Sequence, residues 1–296
     1  MWESDSYGVT FSDIPGGKPV YVYTQSDPAD TGFQVVSCVG TGRSTGSTGT
    51  FLYRDMAGYQ KNFILKGGAL VSAMVGVDTR STMDIDTTLR GLPLTEDDIS
   101  DILAEVVSIP LEDGITFHIN RISEIMDEAE YPGIRVTMEA ELGTMRTPLK
   151  LDISTGDAIT PREISYEFKL MFEDRTICIL AYNLETVLAE KLETVLSRGT
   201  ANTRLRDYYD LYILQHDVPT AIDYEHLRCA FMATCAKRGT QFTVQEGDLI
   251  LSEIRSSQDL QLLWRRYQSK YSYAAQLSWD AVMDAVHSLY RQAAGT

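Results

Sequence analysis

Apolar and polar residues alternate regularly beyond residue 50, and the period of the alternation changes once along the chain. Between residues 51 and 180, short runs carry an apolar side chain at every second position, which is typical of strands with one buried face. The clearest runs are 114–122, 133–142, 147–154 and 176–180. We interpret Phe51–Arg54 as the end of a helix, and residues 156–169 as a loop and turn.

After residue 181 the apolar residues recur at the spacing of amphipathic helices. Predicted helices cover residues 184–198, 203–215, 224–237, 244–256, 257–270 and 278–292. Asn183 and Gly199 flank the first of them and are typical capping residues. The pattern therefore predicts an α+β fold. A mixed β-sheet core with helices would occupy residues 51–180, and an all-helical C-terminal domain would occupy residues 181–296.

Residues 1–50 differ in composition from the rest of the chain. They contain one isoleucine, no leucine and a Gly/Ser/Thr-rich end, TGRSTGSTGT, which resembles a flexible linker. Two β-prone runs, Pro19–Thr24 and Phe33–Val39, predict a hairpin. Because so little apolar surface is available for a core, we interpret this segment as atypical and poorly ordered.

The residues between Asn62 and Asp86 carry the strongest chemical signal. A short apolar run leads into Lys66-Gly67-Gly68 and then into an apolar helical segment. A glycine turn at the start of a helix offers backbone N–H groups and a positive dipole end to phosphate groups. Farther along, Asp84 and Asp86 alternate with Ile85, so both carboxylates project from one face of a strand.

Two neighbouring carboxylates repel each other unless a cation or a proton lies between them. Mg²⁺ prefers oxygen ligands and also binds substrate phosphates. We therefore predict Asp84 and Asp86 as ligands of Mg²⁺ for an NTP substrate, with Lys66 and Arg80 as additional cations. In the strand 147–154, Asp152 points away from the apolar residues, and pairing of the two strands would make it a third metal ligand. A solvated strand face is the alternative explanation.

Two predicted helices carry charged residues on their apolar faces. Lys191 lies in the middle of the stripe of residues 184–198, where an unpaired ammonium group would be costly. We predict that it meets a carboxylate or a triphosphate. Asp207 and Asp210 lie on the apolar face of the next helix and need cationic partners, for which Lys191, Arg198 or a metal would serve. A structural salt bridge between the helices is the alternative.

Composition excludes some classes of function. The formal net charge of −16 argues against broad nucleic-acid binding, but residues 191–296 hold 12 Lys and Arg against 12 Asp and Glu. Arg265 and Arg266 lie beside Trp264 and Tyr267, an arrangement that can bind single strands but that we interpret as helix packing. Four scattered cysteines favour a reducing cytoplasm. The sequence shows neither a signal peptide nor an apolar run long enough for a membrane span.

From about residue 51 the sequence resembles the AbiEii/AbiGii toxin family of nucleotidyltransferases. The resemblance is carried by four blocks, in the family order: NFILKGG with DTRSTMDID, LKLDIS, NLETVLAEKLETVLSRG and RLRDYYDLYIL. It implies a nucleotidyltransferase-like core in the toxin half of a toxin–antitoxin system, partnered by an antitoxin with a DNA-binding domain. It also implies that Asp84 and Asp86 hold Mg²⁺, that Lys191 contacts the triphosphate and that Asp210 is an essential acid.

We combine these observations in one predicted site and three competing functions. The predicted nucleotide-binding residues are Lys66, Gly67, Gly68, Arg80, Arg198 and Arg206. The first function is a toxin that transfers a nucleotide from an NTP to RNA, with the 3′ end of tRNA as the acceptor, and so blocks translation. The second is nucleotide transfer to a protein hydroxyl group. The third is a catalytically silent module that binds nucleotide.

Overall fold

The computed structural model of the chain describes a defined set of residues. Strands at 9–12, 20–23, 33–36, 38–39 and 51–54 are described by their backbone, and the remaining ranges are 59, 61–76, 79–80, 82, 84–108, 115–125, 133–142, 144–169, 176–218 and 220–295. Contacts divide the chain into two units. The first unit comprises residues 1–73, 81–156 and 165–181, and the second comprises residues 74–80, 157–164 and 182–296. The second unit thus includes two segments that sequence analysis assigned to the core.

The first unit contains the strands and two helices. Its strands are β1 (Val9–Ser12), β2 (Val20–Tyr23), β3 (Phe33–Val36), β4 (Cys38–Val39), β5 (Phe51–Arg54), β6 (Phe63–Lys66), β7 (Asp84–Leu89), β8 (Ile115–Ile125), β9 (Gly133–Leu142), β10 (Met145–Thr155), β11 (Ile164–Lys169) and β12 (Thr176–Ala181). Its helices are α1 (Gly67–Val75) and α2 (Glu96–Ser108).

Seven strands form one mixed sheet in the order β11-β12-β6-β7-β10-β9-β8. The pairs β7–β10 and β6–β12 are parallel, whereas β6–β7, β9–β10 and β8–β9 are antiparallel. The predicted mixed-sheet core is therefore confirmed. The parallel pair β7–β10 at its centre joins the Asp-x-Asp strand to the strand that contains Asp152.

The period of two residues gives the sheet its buried face. In β9, Ile134, Val136, Met138 and Ala140 are buried, and the residues between them are half-buried. In β10 the same alternation buries Leu149, Leu151 and Ile153. Shifting the register by one residue would turn all of these side chains to the opposite face, so burial fixes the pairing.

Two predictions for the first unit are wrong. Phe51–Arg54 is a strand and not the end of a helix, because the backbone pairs antiparallel with β3 from Val36↔Phe51 to Phe33↔Arg54. A run of four residues with Phe and Tyr has no helical period, and its aromatic residues favour strands. Part of the predicted loop 156–169 is strand β11, the neighbour of β12 at the edge of the sheet.

The predicted hairpin between residues 19 and 39 is only partly present. β2 pairs antiparallel with both β1 and β4, whereas β3 pairs with β5. The Phe33–Val39 run is therefore divided between two small sheets. The predicted disorder of residues 1–50 concerns mainly positions outside the described residues and stays a prediction.

The second unit is helical, as predicted for the C-terminal region. Its helices are α3 (Leu184–Arg198), α4 (Leu205–His216), α5 (Tyr224–Lys237), α6 (Phe242–Ser256), α7 (Gln258–Lys270) and α8 (Trp279–Ala294), with 3₁₀ turns at Gly199–Ala201 and Ser272–Ala274. The predicted caps of α3 are confirmed: the Asn183 side chain accepts from the Thr186 N–H at 2.8 Å, and Gly199 has φ +52°. Among the described residues, none of the helices is long and apolar enough to cross a membrane.

Candidate active site

Four adjacent strands of the first unit place charged residues in one row across the sheet. Asp86 of β7 pairs with Lys66 of β6 and with Asp152 of β10, and Asp152 pairs with Arg135 of β9. Paired residues point to the same face, and neighbouring strands lie about 4.8 Å apart. Lys66, Asp86, Asp152 and Arg135 therefore form a row in which two neighbouring carboxylates lie between two cations. We call this row, together with Asp84 and Lys150, the sheet site.

Asp152 is the most strongly paired carboxylate of the sheet site. Arg135 donates two parallel hydrogen bonds to it, from Nε to Oδ1 at 2.8 Å and from Nη2 to Oδ2 at 2.9 Å. The Lys150 ammonium lies 3.2 Å from Asp152 Oδ2 and 3.4 Å from Asp84 Oδ1. A bidentate guanidinium is a strong and specific partner for a carboxylate. Asp152 is therefore compensated by protein cations.

Asp86 has a different environment, because it lies beneath the glycine turn. Gly67 has φ +64°, and a Cβ atom at this position would overlap the Asp86 carboxylate. Only glycine fits both the backbone conformation and the close approach. The Gly68 N–H donates to Asp86 Oδ2 over a long 3.4 Å. The glycine pair thus brings the first turn of α1 against the Asp-x-Asp strand.

The pKa of Asp86 is raised, because its burial and the neighbouring carboxylates outweigh the positive groups beside it. Burial is the largest cause, followed by the negative charge of Asp152, and Asp84 adds to it. The Lys66 ammonium and the Gly68 N–H act in the opposite direction but do not cancel the shift. Lys66 itself donates to the Ser154 hydroxyl at 2.6 Å. An additional cation beside Asp86 would relieve this electrostatic cost.

The donors of the sheet site fit Mg²⁺. Mg²⁺ is usually bound by one or two carboxylates together with waters and substrate phosphates, and Asp84 and Asp86 provide two carboxylates on one face. Within the described part of the chain, no group of three His, Cys, Asp or Glu residues is arranged around a metal position. Asp152 could act as a third ligand only by exchanging its contacts with Arg135 and Lys150. The fit therefore rests on Asp84 and Asp86.

In the second unit, four of the charged residues singled out from the sequence meet in a buried cluster of ion pairs: Arg80, Lys191, Asp207 and Asp210. Arg80 donates to Asp210 from Nε at 2.8 Å and from Nη2 at 3.2 Å. The Lys191 ammonium lies 2.7 Å from Asp210 Oδ2 and 3.0 Å from Asp207 Oδ1. Arg204 Nε approaches Asp207 Oδ2 at 3.0 Å. We call Arg80, Lys191, Arg204, Asp207 and Asp210 the buried cluster.

Apart from Arg204, whose side chain is 57% exposed, the buried cluster is closed to solvent, and its charges interact strongly. The side chains of Arg80 and Asp210 are 1% and 0% exposed, and Lys191 is 10% exposed. Burial alone would raise the pKa of Asp210, but the charges and hydrogen bonds of Arg80 and Lys191 outweigh it and lower the pKa to about 2. The two carboxylates likewise overcome burial and raise the pKa of Lys191. All three groups are therefore charged at neutral pH.

The structure corrects the predicted partners of Asp207 and Asp210. The predicted partners were Lys191, Arg198 or a metal, and the contact with Lys191 is present. Arg80 and Arg204 provide the arginine contacts, whereas Arg198 and Arg206 are exposed and, among the described residues, take part in neither the sheet site nor the buried cluster. Spacing along α4 places Arg206 next to Asp207, but side chains one position apart on a helix do not face each other.

Arg135 was not among the predicted site residues, although the sequence carries a signal for it. Arg135 stands between Ile134 and Val136, two buried residues of β9, so it must point to the polar face. The antiparallel register of β9 and β10 then determines that it lies opposite Asp152. Reading the two strands as a hairpin with a defined register would have paired the residues.

These features define a class of protein. A mixed sheet with an Asp-x-Asp strand beside a glycine turn and helix is the arrangement of a nucleotidyltransferase. A family model described as nucleotidyl transferase AbiEii toxin, type IV toxin–antitoxin system, matches residues 50–285. The chain therefore belongs to the AbiEii family of nucleotidyl transferase toxins. An antitoxin partner follows from membership of a toxin–antitoxin family.

Solved structures and curated proteins give further comparisons. A Helicobacter pylori structure described as a candidate nucleotidyltransferase is 18% identical, with a TM-score of 0.42, and the match covers 79% of this chain and 89% of that one. The structure of JHP933 from Helicobacter pylori is also 18% identical, with a TM-score of 0.42, and the match covers 79% of this chain and 87% of that one. An antigenic nucleotidyltransferase-like protein from Paracoccidioides brasiliensis is 15% identical, with a TM-score of 0.37 and coverage of 64% and 84%. No curated protein matches.

Proposed function

We propose that this chain transfers a nucleotide from an NTP to an RNA acceptor, with Mg²⁺ as cofactor, and thereby blocks translation. For the acceptor we propose the 3′ end of tRNA, as the family resemblance implies. The observation that carries the proposal is the position of Asp84 and Asp86 on one face of β7, with Asp86 against the turn at Gly67. Asp86 is an acid with a raised pKa at this position, which favours binding of a cation.

The proposed reaction is a displacement at the α-phosphorus of the NTP. The acceptor hydroxyl oxygen forms a bond to the α-phosphorus, the bond to the bridging oxygen of the β-phosphate breaks, and pyrophosphate leaves while the hydroxyl proton passes to solvent. Bound Mg²⁺ would neutralise the phosphate charge and align the reacting groups. Asp84 and Asp86 would hold the ion. The N–H groups at the start of α1 and the Lys66 ammonium would attract the phosphates.

The remaining predicted residues stay proposed participants. Asp152 is proposed as a third metal ligand, which would require it to exchange its contacts with Arg135 and Lys150. Lys191, Asp210 and Arg80 are proposed to contribute to nucleotide transfer, and their mutual ion pairs give them a structural role as well. Arg198 and Arg206 are exposed and are proposed as contacts for phosphate groups.

The proposed antitoxin partner carries a DNA-binding domain, as the resemblance implies. Copurification of an antitoxin with this chain, followed by binding of the pair to DNA, would test this part of the proposal. The chain without its partner should not retard the DNA.

Replacing Asp84 or Asp86 by Asn tests the proposed chemistry. Each substitution removes a negative ligand, and loss of several kcal/mol of charge stabilisation corresponds to a reduction in transfer rate of about 10³-fold or more. The measurement incubates the chain with Mg²⁺, total RNA and each α-³²P-labelled NTP in turn, and follows label in RNA. Asp101→Asn on the exposed face of α2 is a matched control and should keep the parent's rate.

The acceptor is tested in the same assay by adding cell lysate in place of RNA. Label in RNA, removed by ribonuclease, is the expected result. Label that survives ribonuclease and is removed by protease would replace the RNA acceptor by a protein hydroxyl group. Undiminished transfer by Asp84→Asn and Asp86→Asn would overturn the assignment of the sheet site.

A further inference from the structure

The segment between Asp259 and Asp280 differs in charge from the rest of this acidic chain. Its 20 residues contain Arg265, Arg266 and Lys270 and no Asp or Glu, whereas the whole chain has a net charge of −16. It covers most of α7, the 3₁₀ turn Ser272–Ala274 and the connection to α8. All three cations are exposed. The segment is therefore a local basic surface.

The aromatic residues of this segment have two different roles. Trp264 is 1% exposed and Tyr267 is 9% exposed, so the predicted helix packing is confirmed for both. Tyr271 and Tyr273 follow the helix and are only half-buried. Their rings are stacked, with centroids 5.3 Å apart and an interplanar angle of 25°. We call this pair the tyrosine platform.

The rings of the tyrosine platform pack against other aromatic residues. The Tyr273 ring lies 4.8 Å from that of Tyr209, and the Tyr271 ring lies 4.6 Å from that of Tyr267. The hydroxyl groups of Tyr267 and Tyr273 are 3.1 Å apart, which is hydrogen-bonding distance. Tyr209 in turn donates to the Thr79 carbonyl at 2.8 Å. The two rings are therefore positioned before any ligand binds, which reduces the entropy cost of binding.

Cations lie close to the half-buried rings of the platform. The Lys270 ammonium lies 5.2 Å from the centroid of the Tyr271 ring. Arg266 precedes Lys270 by four positions on α7, so the two side chains share one face of the helix. The nearby carboxylate of Asp210 is compensated by Arg80 and Lys191. Exposed cations therefore lie beside the platform, and the carboxylate of Asp210 is already paired.

We propose that the tyrosine platform, with Arg266 and Lys270, binds an unpaired stretch of nucleic acid by stacking on its bases and attracting its phosphates. Aromatic rings combined with cations are the recurring arrangement for single strands, and they tolerate different sequences because every base has a π face. If the proposed function holds, this stretch belongs to the RNA acceptor. The proposal places acceptor binding on the second unit.

The test measures binding of a short fluorescein-labelled single-stranded oligoribonucleotide to the full chain by fluorescence anisotropy, without NTP or Mg²⁺. We expect Tyr271→Ala to raise the Kd about tenfold, whereas Tyr271→Phe, which keeps the ring, should change it by less than about twofold. Tyr224→Ala is a matched control, because Tyr224 is a tyrosine 47% exposed on α5. Lys270→Ala should weaken binding and reduce the slope of log Kd against log salt concentration by about one.

Three further binding measurements distinguish stacking on single strands from other modes of nucleic-acid binding. A duplex of the same sequence should bind more weakly than the single strand, because its bases are already stacked on each other. Equal binding of a matching DNA single strand would support stacking and show that selection for RNA arises elsewhere. Asp84→Asn should bind the oligonucleotide with the same Kd as the parent. The proposal for the platform and the proposal for nucleotide transfer are therefore tested independently. A Kd that is unchanged in Tyr271→Ala, or binding of duplex as tight as that of single strand, would overturn the proposal.

Discussion

The sheet site and the buried cluster are built from the same chemical groups and differ in what surrounds them. Both combine aspartates with lysine and arginine. In the buried cluster, Asp210 is fully buried between Arg80 and Lys191, and its pKa falls to about 2. In the sheet site, Asp86 lies beside two other carboxylates, and its pKa is raised. The direction of the pKa shift therefore distinguishes the two groups.

This difference in pKa shift indicates which of the two sites would be stabilised by binding an external cation. A carboxylate with a lowered pKa already has its cations, and it contributes to folding. A carboxylate with a raised pKa is destabilised in its ionised form, and an incoming metal ion would relieve that cost. The sheet site thus has the electrostatics expected of a catalytic centre, and the buried cluster has those of a structural core.

The largest expected effect on stability comes from Lys191→Ala. From the sequence alone, Arg198 or a metal could replace Lys191 as the partner of Asp207 and Asp210, and the variant would then fold nearly as well as the parent. The observed partners change this expectation. Breaking a buried ion pair costs about 3–5 kcal/mol, but Arg80 and Arg204 remain on the two carboxylates, so we expect a loss of about 2–3 kcal/mol. Urea denaturation followed by circular dichroism measures the free energy of unfolding.

Lys237→Ala is the matched control for this experiment, because Lys237 is exposed in the last turn of α5. It should change the free energy of unfolding by less than about 0.5 kcal/mol. A Lys191→Ala variant as stable as the parent that no longer gains stability from NTP and Mg²⁺ would contradict the structural role. It would leave Lys191 with the predicted role at the triphosphate alone.

Much of this comparison could be predicted from the sequence. Alternation placed Asp84, Asp86 and Asp152 on polar strand faces, and helical period placed Lys191 and Asp210 on apolar faces. Both inferences use local periodicity, because the backbone geometry of a strand or a helix determines which residues share a face. The same reasoning predicted the caps at Asn183 and Gly199. Local patterns therefore identified the three aspartates of the sheet site, and Lys191 and Asp210 of the buried cluster.

The partners of those residues could not be predicted in the same way. Arg80 contacts Asp210 across 130 positions of sequence, and Arg135 contacts Asp152 through the register of two strands. Pairing over such separations depends on topology, which no local period encodes. The error at Phe51–Arg54 has the same origin, because its strand conformation depends on a partner in β3.

A second prediction concerns acid stability. The pKa of Asp210 is about 2 in the folded chain and 3.8 without the fold's contacts, so its contribution is present above pH 3.8 and is lost as the pH falls through about 2. A shift of this size corresponds to about 2 kcal/mol. We expect the free energy of unfolding to fall by about this amount between pH 4 and pH 2 on account of Asp210 alone. Urea denaturation at a series of pH values measures it.

Asp210→Asn provides the comparison for the acid experiment. The variant lacks the titrating group, so its free energy of unfolding should be lower at neutral pH and should depend less steeply on pH below 4. Parallel curves for the parent and Asp210→Asn would show that other carboxylates dominate acid unfolding.

The smallest expected effect has the opposite sign and compares two aspartates of the same row. In the metal-free chain, Asp86→Asn removes a carboxylate whose ionised form is unfavourable, so we expect the melting temperature to rise by roughly 1–3 °C. Asp152→Asn removes the partner of Arg135 and Lys150, so its melting temperature should fall. Differential scanning fluorimetry with and without MgATP measures both, and the parent should gain stability from the ligand whereas Asp86→Asn should not. A melting temperature below that of the parent for Asp86→Asn, but not for Asp152→Asn, would contradict this comparison. It would mean that the cations of the row stabilise Asp86 and not Asp152, and that Asp152 is the better candidate for the metal ligand.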